Sequence, residues 1–423
     1  MGRFLNIFKI PDLRKKVLMV LFLLFVFRLL AAIPIPGIDA ARLQQFLGSN
    51  QLFGFLNIFS GGGLANLSIM MLGVGPYITA TIIMQLLTIV FPNLKKAYYE
   101  EGAAGQAKFN RISRYLTVPL AILQGYGFLN LLVSQGVLAP LSLTALIGNV
   151  TVITAGSILI MWIGELISEY KIGNGVSLII FAGIVSRLPQ EVGAAFFNYN
   201  PAMLPTYIAF VVLSVIVIAG VVFVNEGERK IPVSYAKQVR GMKMYGGVST
   251  YLPLRVNQAG VIPIIFAISL LLFPQFFAQA IALASPSLSL SLNNWVSGFF
   301  NNVPLYSLAY FVLVVLFTYF YTAITFDPGE ISKNLQRSGG FIPGIRPGQA
   351  TTDMITKITH RITFFGAIFL GVVAILPNIT QIVTGIQALT IGGTALLIIV
   401  AVALEVMKQI ESQLTVREYE GIF

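Results

Sequence analysis

Glu165 and Glu169 stand four residues apart, the spacing that puts two carboxylates on one helix face, where a pair of unequal acidity does acid–base work. Both close an apolar stretch beside Lys171, so the expectation is an ion-pair cluster at a helix end rather than a catalytic pair. His360 is the sole histidine and cysteine is absent, which leaves no imidazole or thiolate set for a metal and no disulfide. Glycines gather at 61–63 and in Ile172-Gly-Asn-Gly-Val-Ser-Leu178, without the strand and lysine that a phosphate-binding loop requires. The residues offer no catalytic constellation, and the sequence predicts a non-enzyme without a cofactor.

What recurs at chemical spacing is aliphatic. Ile78 and Ile82 lie one helical turn apart, Ile180 and Ile184 likewise, and Ile262 and Ile265 are three apart beside Pro263. Such a stripe is core packing in most proteins. Arg28 sits about two-thirds of the way along the first apolar stretch, where it either snorkels toward external headgroups or caps a polar neighbour.

These residues sit in a chain that is 56% hydrophobic and 10% charged, an integral membrane protein by composition. Ten apolar stretches run roughly 17–33, 68–91, 116–134, 149–168, 176–189, 206–225, 260–282, 304–326, 361–377 and 387–407. Of the 27 Lys and Arg residues, 24 lie in the terminal tails or in every second connection, with Arg42 and Arg187 in the other connections and Arg28 inside a stretch. Cations accumulate in short cytoplasmic loops, so the pattern predicts a multi-pass protein with both termini in the cytoplasm. The net charge of +11 is accounted for by those loops and by anionic lipids, with ribosomal RNA the one nucleic acid weighed. Arg3, Lys9, Arg14, Lys15 and Lys16 precede the first stretch as in a signal peptide, but no small-residue cleavage site follows closely, which predicts a retained first helix.

Ten spans with a linker near 198–205 divide into residues 1–197 and 198–423, five spans each. An odd number per half makes the second half enter from the opposite face, the arithmetic of an inverted repeat. Helix breakers correspond: Gly73, Gly75 and Pro76 in the second span, Gly260 and Pro263 in the seventh. The external connection after the first span carries an apolar piece, Gln51 to Phe59, joined by Ser60-Gly-Gly-Gly63 to the next helix. It is a re-entrant segment on a flexible joint, or an amphipathic segment on the outer surface.

Six stretches then make the chain resemble the SecY family, central subunits of Sec protein-conducting channels. They are Leu56 to Ala65, GPYITATIIMQLL at 75–87, IGNGVSLIIFAGIV at 172–185, VNQAGVIPIIFA at 256–267, NLQRSGGFIPGIRPG at 334–348 and IGGTALLIIV at 391–400. The resemblance covers essentially the whole chain. It implies an all-α membrane protein of ten transmembrane helices in two inverted five-helix halves, with a re-entrant plug at about 57–67. The plug would comprise Asn57, Ile58, Phe59, Ser60, Gly61, Gly62, Gly63 and Leu64, and the pore ring Ile78, Ile82, Ile180, Ile184, Ile262, Ile265 and Ile398. The second and seventh spans resemble a lateral gate.

The resemblance further implies that loops 226–259 and 327–360 dock a SecA motor ATPase or the ribosome through Arg240, Lys243, Arg255, Arg337 and Arg346. It implies SecE- and SecG-type small membrane subunits, unfolded preprotein substrates and the bacterial cytoplasmic membrane. Two rivals remain, a secondary transporter for small solutes and a membrane scaffold whose basic loops recruit partners.

Overall fold

Amide groups withdrawn from water must find partners within their own segment, which selects helices for apolar stretches. In the computed structural model a helix lies over each of the ten. The structure describes residues 10–35, 60, 62–64, 67–91, 94, 102–134, 136–189, 193, 204–235, 238–240, 243–245, 249–281, 286–384 and 392–420. Five stretches among them are long and apolar enough to cross a membrane: Ala104–Val133, Leu143–Glu169, Tyr207–Glu226, Val303–Arg337 and Gln349–Thr380.

The described residues form two compact units, one within 1–207, 268–306 and 402–423, the other within 208–267 and 307–401. In the first, α1 (Pro11–Leu30) packs against α4 (Leu143–Glu169) and α5 (Gly175–Val185), while α3 (Gly102–Ser134) packs against α2 (Gly75–Val90) and α4. Ser142 caps α4 by accepting from Ala145 N at 3.3 Å, and Asn174 caps α5 by accepting from Ser177 N at 3.2 Å. With 11 residues, α5 is about 16 Å long. That is short for a hydrocarbon layer of about 30 Å. Its burial explains how a largely apolar helix of that length is accommodated: Leu178, Ile179, Ile180 and Ile184 are covered by protein.

The second unit contains α6 (Leu204–Glu226) from its second turn onward. That helix leaves Ile208, Val211, Val212, Val215, Ile216 and Phe223 uncovered, a surface suited to lipid rather than to water. Four strands follow: β1 (Glu228–Tyr235), β2 (Gln238–Arg240), β3 (Lys243–Tyr245) and β4 (Ser249–Arg255). β1 and β4 are antiparallel, running from Glu228 opposite Arg255 to Ser234 opposite Ser249. The remaining elements are α7 (Ile262–Ile281), α8 (Pro286–Asn301), α9 (Val303–Thr325), α10 (Pro328–Arg337), β5 (Gly340–Phe341), α11 (Gln349–Thr384) and α12 (Gly392–Glu420). β5 extends the hairpin on the β1 side to give the order β4-β1-β5.

The structure corrects several sequence boundaries. The second apolar stretch begins at Ser68 in hydropathy, yet residues 67–74 are turns apart from a bridge at Ser68, and α2 starts at Gly75 with Pro76 in its first turn. The Gly and Pro residues read as breakers within helices stand at helix starts instead, where proline lacks only an N–H that would be unpaired anyway. The correspondence between the two sites is close. Gly73 (φ +55°) precedes Pro76 by three residues and Gly260 (φ +61°) precedes Pro263 by three. Helices α3, α11 and α12 outrun their apolar stretches because polar turns continue them. The loop 226–259 folds as a hairpin, and α8 is a helix the apolar pattern did not predict.

Candidate functional site

The aliphatic positions come first. On α2, Ile78 and Ile82 are both buried, and on α5 so are Ile180 and Ile184, all in the first unit. In the second unit Ile265 on α7 and Ile398 on α12 are buried, while Ile262, at the start of α7, is only partly covered. None of these side chains carries a polar atom. Among the described residues no group of three or more His, Asp or Glu is arranged to hold a metal ion.

The glycine joint ahead of α2 is seated rather than loose. Of the expected plug residues, Asn57, Ile58, Phe59 and Gly61 lie outside the described residues; Ser60, Gly62, Gly63 and Leu64 lie within them. Ser60 Oγ accepts from Leu64 N at 2.9 Å, Ser68 N donates to the Gly63 carbonyl at 2.9 Å, and Leu67 N donates to the Leu64 carbonyl at 3.0 Å. A short antiparallel bridge to the end of the first span follows, with Ile35 N on the Leu67 carbonyl at 2.9 Å and Ile69 N on the Ile33 carbonyl at 3.0 Å. Leu64 and Leu67 sink into an apolar cluster with Phe128, Leu129 and Leu132 of α3 and Ile153 of α4. Burying a leucine contributes about 1.5–3 kcal/mol, so this seat is worth a few kcal/mol.

A third feature is a basic platform. Ile231 and Val233 of β1 and Leu254 of β4 share a core with Ile342 and with Ile355 of α11, flanked by Ile331 and Leu335 of α10. Asp327 starts α10 by accepting from Gly329 N at 2.8 Å and Glu330 N at 3.3 Å. Outside this core Arg229, Lys230, Arg255, Lys333, Arg337, Arg346 and Lys357 are exposed. Arg255 meets Glu228 at 3.7 Å. Arg346 has no ion pair among the described residues, and its main chain is held by Thr351 Oγ1 donating to its carbonyl at 2.9 Å. The backbones of Arg240 and Lys243 face each other across the β2–β3 hairpin.

Two expectations become specific. Glu165 pairs with Arg114 of α3, Nε to Oε1 at 2.7 Å, rather than with Lys171, so it ties two helices together. Arg28 turns its guanidinium toward the glycine joint, and Arg187 from the end of α5 meets the same point. Arg187 carries a sequence signal of its own, a cation in a connection whose one other charged residue is Glu191.

With that geometry in view, the sequence matches the family model of SecY over residues 68–407. It is 44% identical to the protein translocase subunit SecY of Mycobacterium bovis, covering 100% of this chain and 99% of that one. It is 43% identical to the subunit of the same name from Corynebacterium glutamicum, covering 100% of each. Among solved structures it resembles a protein-conducting channel, with a TM-score of 0.64, 19% identity and coverage of 93% of this chain and 90% of that one. Sec61 in the canine ribosome–channel complex from the endoplasmic reticulum gives a TM-score of 0.60 at 19% identity, covering 93% and 90%.

Proposed function

The chain belongs to the SecY family, and on that premise we propose that it is a passive protein-conducting channel of the bacterial cytoplasmic membrane, carrying unfolded secretory polypeptides across and releasing apolar segments sideways into lipid. One observation carries this reading. In a chain matched end to end by translocase subunits, Ile78, Ile82, Ile180, Ile184, Ile265 and Ile398 are all buried and none bears a polar atom. We infer that they line the pore waist together with Ile262.

The chemistry suits that task. A passing polypeptide has no constant group to bind, and a polar constriction would grip some sequences and delay them. An apolar waist seals without specificity and, when empty, dewets and resists ions. In this reading the turn at 62–64, with the rest of 57–67, is the plug. Residues 1–197 and 198–423 are inverted halves of five spans each, a reading supported by the matched Gly73–Pro76 and Gly260–Pro263 spacings. Helices α2 and α7 form the lateral gate. Both termini lie in the cytoplasm.

No catalytic role is assigned to the chain, so energy comes from a partner. The platform is the surface for it: Arg255, Arg337 and Arg346, with Arg240 and Lys243 on the β2–β3 hairpin, would meet a SecA motor or a ribosome. SecE- and SecG-type subunits would brace the helices, and anionic lipids would meet the remaining cations.

The test is reconstitution. Vesicles holding this chain with such small subunits should protect a preprotein from added protease when the motor and ATP are supplied, and not without them. Uptake of small solutes by the chain alone, with no protection of preprotein, would favour a transporter instead.

A further inference from the structure

Arg28 and Arg187 are set apart from nearly all the other cations of the chain, one inside an apolar stretch and one in a connection that is otherwise almost uncharged. They come from the ends of two different helices, Arg28 from the last turn of α1 and Arg187 from just past the C-terminus of α5. They converge on the main chain of Gly62. A methyl group built there would lie 3.3 Å from Arg28 Nη1, 3.8 Å from Arg187 Cδ and 3.8 Å from the Gly183 carbonyl oxygen. The residue is in the left-handed region at φ +84°, which a side chain disfavours, and the contact with Arg28 leaves little room for one. Both arginines are partly buried.

The Arg28 guanidinium and the aliphatic stem of Arg187 meet at one residue, and two cations carried on side chains brought that close repel. Their positions at helix C-termini offset part of that repulsion, since carbonyl dipoles end there. The turn between them offers main chain without a side chain, and each guanidinium carries five N–H donors in a fixed fork suited to carbonyl oxygens.

We propose that Arg28 and Arg187 are positioning residues that clasp the turn at Gly62–Leu64 in its seat and so keep the channel shut until a polypeptide displaces it. This rests on reading that turn as the plug. The leucine seat supplies attachment from the protein side, while the clasp holds the backbone from the external ends of α1 and α5.

The experiment uses the full chain with its own membrane partners in right-side-out vesicles, with two readouts: passive chloride leak, and labelling of Ser60→Cys by a water-soluble maleimide. Ser60 is 1% exposed and the chain has no cysteine of its own, so labelling reports the turn leaving its seat. Arg28→Gln and Arg187→Gln should each raise leak and labelling several-fold, the double variant should add little to either, and Arg28→Lys should recover most of the parent's behaviour. A role confined to capping helix ends would lower thermal stability and leave both readouts where they were, which overturns the proposal.

Deletion of residues 60–67 separates the clasp from the reading beneath it. Glutamine variants as tight as the parent beside a leaking deletion overturn the clasp and leave the plug standing; a tight deletion overturns both. Should a glutamine variant fail to accumulate, Gly62→Ala takes its place. Leak and labelling are then expected to rise, and parent-like behaviour overturns the proposal.

Discussion

Ser157, midway along α4, donates its hydroxyl to the main-chain carbonyl of Gly73 at 2.9 Å, joining residues 84 apart in sequence. The bond satisfies a carbonyl in the turn that launches α2, and so fixes where Ile78 and Ile82 sit. Removing it leaves a buried acceptor without its partner, at about 1–3 kcal/mol. Ser157→Ala should therefore lower the midpoint of thermal unfolding in detergent. Gly156→Ala should lower it further, because a methyl group there collides with the Ile69 carbonyl oxygen.

The leucine seat predicts a graded leak. Leu64 is 1% exposed inside its cluster. Truncation of such a residue costs about 2–5 kcal/mol. Leu64→Ala should raise the ion leak of idle vesicles, and Leu64→Asn should raise it more, with neither changing the amount of protein in the membrane.

Arg346 allows the proposed docking to be tested apart from folding. Its side chain is exposed and the hydrogen bond at that residue uses the carbonyl, so Arg346→Ala should leave thermal unfolding unchanged. Translocation driven by the motor should fall about ten-fold, the ratio that ~1.4 kcal/mol of lost docking energy gives. Ile355→Ala, in the platform core, should reduce both together.

The Arg114–Glu165 pair should prove weak. Their side chains are 48% and 20% exposed, so solvent screens the contact despite its 2.7 Å length. A double-mutant cycle on thermal stability should return a coupling of about 1 kcal/mol or less.

Helix positions were legible because hydrocarbon admits little else: uninterrupted apolar runs mark them whatever they pack against. Helix ends were not. Gln349 starts α11 twelve residues before the apolar stretch because Ile355, Ile358 and Ile362 recur on a face that packs on the hairpin core, a periodicity obscured by Lys357, His360 and Arg361. The hairpin is marked by Ile231 and Val233 on alternate residues of β1 and Leu252 and Leu254 on alternate residues of β4, which share one core, but the many charges of that loop mask the alternation. The aliphatic candidates were found from spacing and resemblance, and the structure buries all of them except the partly covered Ile262. The meeting of positions 28, 62 and 187 has no local signal, since three segments distant in sequence come together only in the folded chain.

The central claim is that polypeptide passes the aliphatic waist, and Ile82 tests it most directly. With no native cysteine, Ile82→Cys can form a disulfide with a single cysteine in a stalled secretory precursor against zero background. The account predicts a cross-link at Ile82 and none at a lipid-facing control such as Val215→Cys, whose side chain is uncovered. No cross-link at Ile82, with translocation otherwise intact, would contradict the waist assignment and reopen the transporter and scaffold readings.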